Sequence, residues 1–341
     1  MFFIEFFALT FCLAIIATVI IRVIARRWAI VDQPNEQRKI HLLATPLLGG
    51  LAIFIAFFLA LYWSHARLLA GNLVPRNWFG FFAGGLILMI GGFLDDKYRL
   101  APSRQIVFPV LAIIAVVLGG VQIEKITNPF GGLIYLGAWS APLIGVWLLG
   151  MMYTTKLLDG LDGLVTGVSA IGAFIIFLFT MTTKYYQPDI GLAALILSAA
   201  CFGFLVFNWH PASIFLGEGG SLFLGYALGV LAIISGGKIA IALLVMGVPI
   251  LDVLWTIVRR FVSGVNPFKF ADRKHLHFRL LDMGLSQRQV ALIYYFFAAF
   301  FGLFALFLQS LGKFYALLIL FVLMLLIIIG LGYLDKRGKR A

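Results

Sequence analysis

Long apolar runs separated by short polar intervals set the pattern of this chain from end to end. Runs of about 18 residues or more recur, each long enough to cross roughly 30 Å of hydrocarbon as a helix. Eleven such spans are predicted, at 2–24, 47–64, 78–94, 106–121, 139–157, 164–183, 190–207, 220–236, 239–257, 290–309 and 314–334. The expected fold is all-α, a polytopic membrane helical bundle forming a single integral-membrane domain over residues 1–341, with no stretch left for a separate soluble domain. The first span is too long for a signal-peptide core and lacks a basic lead, so it reads as retained.

Composition agrees with this pattern. The chain is 62% hydrophobic and only 12% charged, too few charges to make a soluble surface for 341 residues. Cys12 and Cys201 lie inside apolar runs and away from any metal-ligand spacing. A net charge of +12 raises the question of nucleic acid, but in a membrane chain the placement of charge matters first. Of the 26 Lys and Arg residues, 20 fall after odd-numbered spans and 6 after even-numbered ones. The N-terminus is therefore predicted outside and the C-terminus in the cytoplasm, as a multi-pass inner-membrane protein with no nucleic-acid partner.

The acidic residues follow the same side, which the distribution of basic residues does not require. Only Glu5, Glu124 and Asp189 lie elsewhere; Asp32, Glu36, Asp95, Asp96, Asp159, Asp162, Glu218, Asp252, Asp272, Asp282 and Asp335 are on the predicted inner face or at its interface. His41, His210, His275 and His277 join them. Carboxylates at membrane depth are costly, so several at the inner ends of different spans mark a candidate site. Their one-sidedness argues against a transporter, whose coupling residues sit near the midplane.

Five segments carry candidate chemistry. Asp95-Asp96 closes the third span, either as an ordinary acidic stop or as a pair needing a cation, a proton or a basic partner to relieve its repulsion. In Lys156-Leu-Leu-Asp159-Gly-Leu-Asp162-Gly, a helical turn would set both carboxylates on one face, and the glycines permit turns and close approach of a ligand; the alternative is a simple polar turn. Phe207-Asn208 leads to the Gly217–Ser221 turn, where a free helix N-terminus before the eighth span suits phosphate, although loops often look like this. The loop after the ninth span holds Arg259, Arg260, Asp272, Arg273, Lys274, His275, His277 and Arg279, suited to donor phosphates or to lipid headgroups. Arg38-Lys39-x-His41 before Gly49-Gly50 poses the same alternatives.

In order, these segments resemble the polyprenyl-phosphate N-acetylhexosamine-1-phosphate transferase family. The resemblance rests on Asp32-x-Pro34 with Arg38-Lys39-x-His41, Asp95-Asp96, Asp159-Gly-Leu-Asp162-Gly-Leu, Asn208 with Gly217–Ser221, and Pro267-Phe268 through His277. The Asp32–His41 run, the Asp272–Ser286 stretch and the span count look more like the N-acetylglucosamine branch than the muramoyl-pentapeptide one. The resemblance implies transfer of a sugar 1-phosphate from a UDP-sugar to a polyprenyl phosphate at the cytoplasmic face, releasing UMP, with Mg²⁺ or Mn²⁺ and membrane lipids around it; a homodimer is a further expectation. By the same pattern Asp95, Asp96, Asp159 and Asp162 are catalytic, with the first pair near the lipid phosphate. Glu218 and Asp159 would hold metal. Arg38, Lys39, His41, Asn208, Lys156, Arg273, His275 and His277 would bind substrate.

The chain departs from the family pattern at four places. Lys156 replaces an Asn, Glu218 an Asp, Gln105 (beside Arg104) a Lys, and Phe278 the third His. Unit charges about 4 Å apart interact by roughly 4 kcal/mol at an effective dielectric near 20, and a divalent ion doubles that. Lys156 is therefore expected to pair with Glu218 and to weaken Mg²⁺ dependence. The competing readings are an inactive paralogue, a polyprenyl-phosphate carrier or flippase, which would need polar residues through mid-membrane, and a CDP-alcohol phosphotransferase, whose Asp-Gly-x-x-Ala-Arg element is missing here.

Overall fold

The computed structural model describes residues 2–34, 43–69, 71, 74–182, 186–236, 239–264 and 274–338, with side chains described only as far as 330. The chain is mostly helical. Helix α1 (Phe2–Arg27) leads through a short ribbon, β1 (Val31–Asp32) against β2 (Thr45–Pro46), into α2 (Gly49–Trp63) and the single turn α3 (His65–Leu68). Then come α4 (Pro75–Tyr98), α5 (Pro102–Gln105) and α6 (Val107–Leu118). An exposed hairpin, β3 (Lys125–Thr127) with β4 (Leu133–Tyr135), precedes α7 (Ser140–Leu158), α8 (Leu164–Thr180), α9 (Pro188–Asn208) and α10 (Gly217–Ile234). The chain ends with α11 (Ile239–Val245), α12 (Gly247–Val262), α13 (Leu276–Asp282), α14 (Gln287–Phe307) and α15 (Ser310–Gly338).

Each predicted span contains a helix, yet not every helix is of spanning length. Among the described residues, seven are long and apolar enough to cross a membrane, or eight if α11 and α12 count as one. Those two meet at an angle of 79°, so the straight span expected over 239–257 is a broken one. Pro249 explains the break: it lacks an N–H and its ring crowds the carbonyl four residues back, at Val245. Helices α2 and α8 and the run of α5 with α6 are shorter.

Packing inverts the soluble pattern. In α1 the buried stripe is small or polar (Thr10, Ala14, Thr18, Ala25, with Ile21), while bulkier Ile4, Ile16, Ile20 and Val23 face outward. Small residues let helix backbones approach where lipid is as apolar as leucine. The Thr10 and Thr18 hydroxyls donate to the carbonyls of Phe6 (2.7 Å) and Ala14 (2.6 Å), so neither is left unpaired. At the centre stands α10, apolar all round and almost wholly buried against α2, α4, α7 and α8.

Two glycine contacts fix where α10 begins. A Cβ on Gly92 of α4 would lie 2.1 Å from the Gly219 Cα, and one on Gly50 of α2 would lie 2.0 Å from the Gly220 Cα. Only bare backbones fit there. The first amides of α2 are also tied to this point, with the Gly49 and Gly50 N–H donating to the carbonyls of Phe215 (2.9 Å) and Leu216 (2.8 Å). The N-terminus of α10 is thereby wedged against the C-terminal turn of α4.

Candidate active site

Asp95 and Asp96 lie inside the last turn of α4, half-buried, and point to different tasks. Asp95 Oδ1 accepts from the Leu100 N–H (2.8 Å) and from Gln105 Nε2 (2.9 Å), binding the end of α4 to α5. Among the described residues its Oδ2 accepts no hydrogen bond. Both Asp96 oxygens lie within reach of the Glu218 N–H, at 3.1 and 3.3 Å. A carboxylate at a helix N-terminus satisfies an orphan donor and meets the positive end of the helix dipole. The helix N-terminus expected to be free for phosphate is thus occupied by Asp96.

From the last turn of α7, Lys156 reaches into the same place. Its ammonium forms an ion pair with Glu218 Oε1 and donates to Gln105 Oε1 at 3.0 Å. The expected Lys156–Glu218 pair is present, with Gln105 as an additional partner. The close approach of α7 and α10 at Gly225, whose added Cβ would meet Met151 O and Thr155 Oγ1 at 2.4 Å, makes the reach possible.

Asp159 and Asp162 do not share a helical face. Helix α7 ends at Leu158 and α8 begins at Leu164, so both sit in a turn, with Gly163 at φ +73°. Part of Asp159 is open to solvent. Its carboxyl is nonetheless pushed up to about 8, first by desolvation and then by Glu218 and Asp162 nearby. Asp162 acts as a tether: its Oδ2 receives His210 Nδ1 (2.7 Å) and the Ala212 N–H (3.0 Å). The Arg288 Nε donates to His210 O at 2.9 Å, drawing in the start of α14.

Asn208, expected at the substrate, is buried and committed within the protein. It accepts from Thr166 Oγ1 (2.8 Å) and donates to Ile214 O (3.0 Å). His275 and His277 are buried too. Their rings stack 5.6 Å apart at 10°, and His277 presses on Gly160, where a Cβ would come 2.7 Å from its Nε2. Helix α13 is thereby docked on the Asp159–Gly163 turn. Burial pushes the His277 ring down to about 3, and among the described residues neither of its nitrogens has a hydrogen-bond partner. The residue that sequence reasoning left unassigned is Asp252 of α12, which receives His275 Nδ1 at 3.0 Å and the Leu276 N–H at 2.9 Å. Its signal was a carboxylate at the inner end of an apolar span, with Thr256 one turn later. Arg38, Lys39, His41 and Arg273 lie outside the described residues.

The metal expectation can be tested against the donors. Among the described residues no group of three or more His, Cys, Asp or Glu is placed to hold an ion. Glu218 faces an ammonium and Asp96 a backbone amide, so these two carboxylates as arranged do not fit a divalent cation.

The comparisons place this site in a family. The profile of glycosyl transferase family 4 matches residues 78–236, the stretch that holds Asp95, Asp96, Gln105, Lys156, Asp159, Asp162, Asn208 and Glu218. A Bacillus subtilis protein described as a probable undecaprenyl-phosphate N-acetylglucosaminyl 1-phosphate transferase is 33% identical, over 94% of this chain and 88% of its own. A decaprenyl-phosphate N-acetylglucosaminephosphotransferase of Mycolicibacterium smegmatis is 33% identical, over 82% and 75%. A phospho-N-acetylmuramoyl-pentapeptide-transferase of Halalkalibacterium halodurans is 31% identical, over 78% and 83%. With this likeness along most of its length, the chain belongs to glycosyl transferase family 4, among the polyprenyl-phosphate N-acetylhexosamine-1-phosphate transferases.

Proposed function

We propose that this protein transfers N-acetylglucosamine 1-phosphate from UDP-N-acetylglucosamine to a polyprenyl phosphate at the cytoplasmic face of the cell membrane, releasing UMP and starting a cell-envelope polysaccharide. The carrying observation is the convergence of Asp95, Asp96, Asp159 and Glu218 from three helix ends onto one end of the bundle, in a chain whose relatives bear the names of such transferases. The N-acetylglucosamine donor is supported by the names of the first relatives, and the cytoplasmic placement by the 20 basic residues on that side. Eleven spans are supported by a helix in every predicted segment, the broken pair and the shorter helices included.

In this reading the lipid phosphate oxygen attacks the sugar-bearing phosphorus of the diphosphate. A new P–O bond forms, the bond to the bridging oxygen breaks, and UMP leaves with that electron pair. Such transfers depend on positioning and on neutralising charge more than on covalent help from the protein. Asp95 is the better placed base, because one of its oxygens is open whereas both Asp96 oxygens face the α10 amide. Asp96 and Asp162 hold the frame. Lys156 supplies positive charge beside the diphosphate.

The test is to incubate purified protein with undecaprenyl phosphate and a panel of UDP-sugars, following UMP and the lipid-linked product. UMP formed only with UDP-N-acetylglucosamine supports the reading. Binding of the lipid with no UMP from any donor would replace it with a non-catalytic carrier.

A further inference from the structure

Three of the positions at which this chain departs from its family's pattern are in direct contact. Lys156 pairs with Glu218 and donates to Gln105 at 3.0 Å; Gln105 in turn donates to Asp95 at 2.9 Å. Four elements, α10, α7, α5 and α4, are thus joined by one chain of side chains ending on the candidate base. Lys156 and Glu218 expose only 21% and 17% of their side chains, so the pair is held inside the site and not on its rim. The family's Lys stands where this chain has Gln105, and its amide where this chain has Lys156. Cation and amide have changed places across one hydrogen bond, and the summed formal charge of the three positions is unchanged. The longer acid at 218 supplies the reach to the relocated cation.

We propose that the Lys156 ammonium is the resident cation of the phosphate site. It balances Glu218 and faces the donor diphosphate, and through Gln105 it sets the position of Asp95. This rests on the transferase reading for the diphosphate, and on geometry alone for the cation. A divalent ion seeking Glu218 has to displace a fixed positive charge, so the site takes up such an ion poorly. Lys156 is a positioning and charge-balancing residue, distinct from the group that takes the proton.

The experiment is a Mn²⁺ titration of the full-length protein in detergent, with free Mn²⁺ followed by electron paramagnetic resonance. Wild type is expected to bind no Mn²⁺ below millimolar concentration, whereas Lys156→Asn gains a site at least tenfold tighter. A wild-type site in the tens of micromolar overturns the proposal, and that measurement needs no variant to fold. Equal Mn²⁺ binding by wild type and a monodisperse Lys156→Asn overturns it as well. In the activity arm, UMP release by wild type varies less than about threefold between trace and 10 mM Mg²⁺, because the fixed ammonium and not a bound divalent ion supplies the positive charge. Lys156→Asn loses activity, and adding Gln105→Lys restores at least part of it; no restoration rejects the exchange. Should no donor yield UMP, the transferase reading falls while the Mn²⁺ arm still decides the cation.

Discussion

One carboxylate of Asp252 fixes both the His275 ring and the first backbone amide of α13, through contacts of 3.0 and 2.9 Å. A carboxylate oxygen accepts, so Nδ1 is the ring nitrogen through which His275 donates to Asp252. Removing one member of a buried pair costs about 3–5 kcal/mol. Asp252→Ala should therefore loosen α13 more than Asp252→Asn does. Faster hydrogen exchange over residues 274–282 is the expected sign, and unchanged protection there would argue that the contact contributes nothing.

His277 makes the fold sensitive to acid. Its ring stays neutral down to about 3 when folded, while an exposed histidine begins to protonate near 6.5. Between those values the unfolded chain binds the extra proton, so stability rises with pH and is lost as pH falls. The thermal midpoint of the purified protein should drop as pH is lowered from 6.5 toward 4. His277→Phe should flatten that slope; an equally steep slope in the variant would assign the acid sensitivity elsewhere.

Backbone proximity at Gly92 positions Asp96. Adding a methyl there places a carbon 2.1 Å from Gly219 Cα, forcing α4 off α10. Overpacking of this kind costs about 1–3 kcal/mol. Gly92→Ala should lower both the thermal midpoint and UMP release. Gly145 and Gly150 of α7 have open space at the same position, and alanine there should be neutral or stabilising by up to about 1 kcal/mol.

The two aspartates of the α4 terminus should separate in kinetics. Loss of a general base lowers turnover by about 10²–10⁴-fold, so Asp95→Asn should reduce kcat on that order with a nearly unchanged thermal midpoint. Asp96→Asn keeps an acceptor for the Glu218 N–H and should reduce kcat less. The reverse order in a UMP-release assay would move the base to Asp96.

The helices and the Lys156–Glu218 pair could be read from the chain because each follows from a local property: run length for the helices, charge and reach for the pair. The bend between α11 and α12 was signalled by Gly247 and Pro249, but apolarity alone measures length and is blind to a missing N–H. Spacing suggested a shared helical face for Asp159 and Asp162, whereas Gly160 and Gly163 let the chain turn instead. Asn208, Asp162 and Asp252 could not be sorted from sequence into substrate contacts and fasteners. That distinction depends on partners 42 to 50 residues away for Asn208 and Asp162, such as Thr166 and His210, and 23 away for Asp252.

The Gln105–Lys156–Glu218 contact also constrains inheritance. An ancestor changing position 156 first would have left two cations in the site, and one changing position 105 first an unbalanced acid, so those intermediates carry a fitness penalty that the finished trio escapes. Lineages should accordingly hold the three as a set: wherever a homologue has lysine at the position of Lys156, it should have glutamate at that of Glu218 and an uncharged amide at that of Gln105.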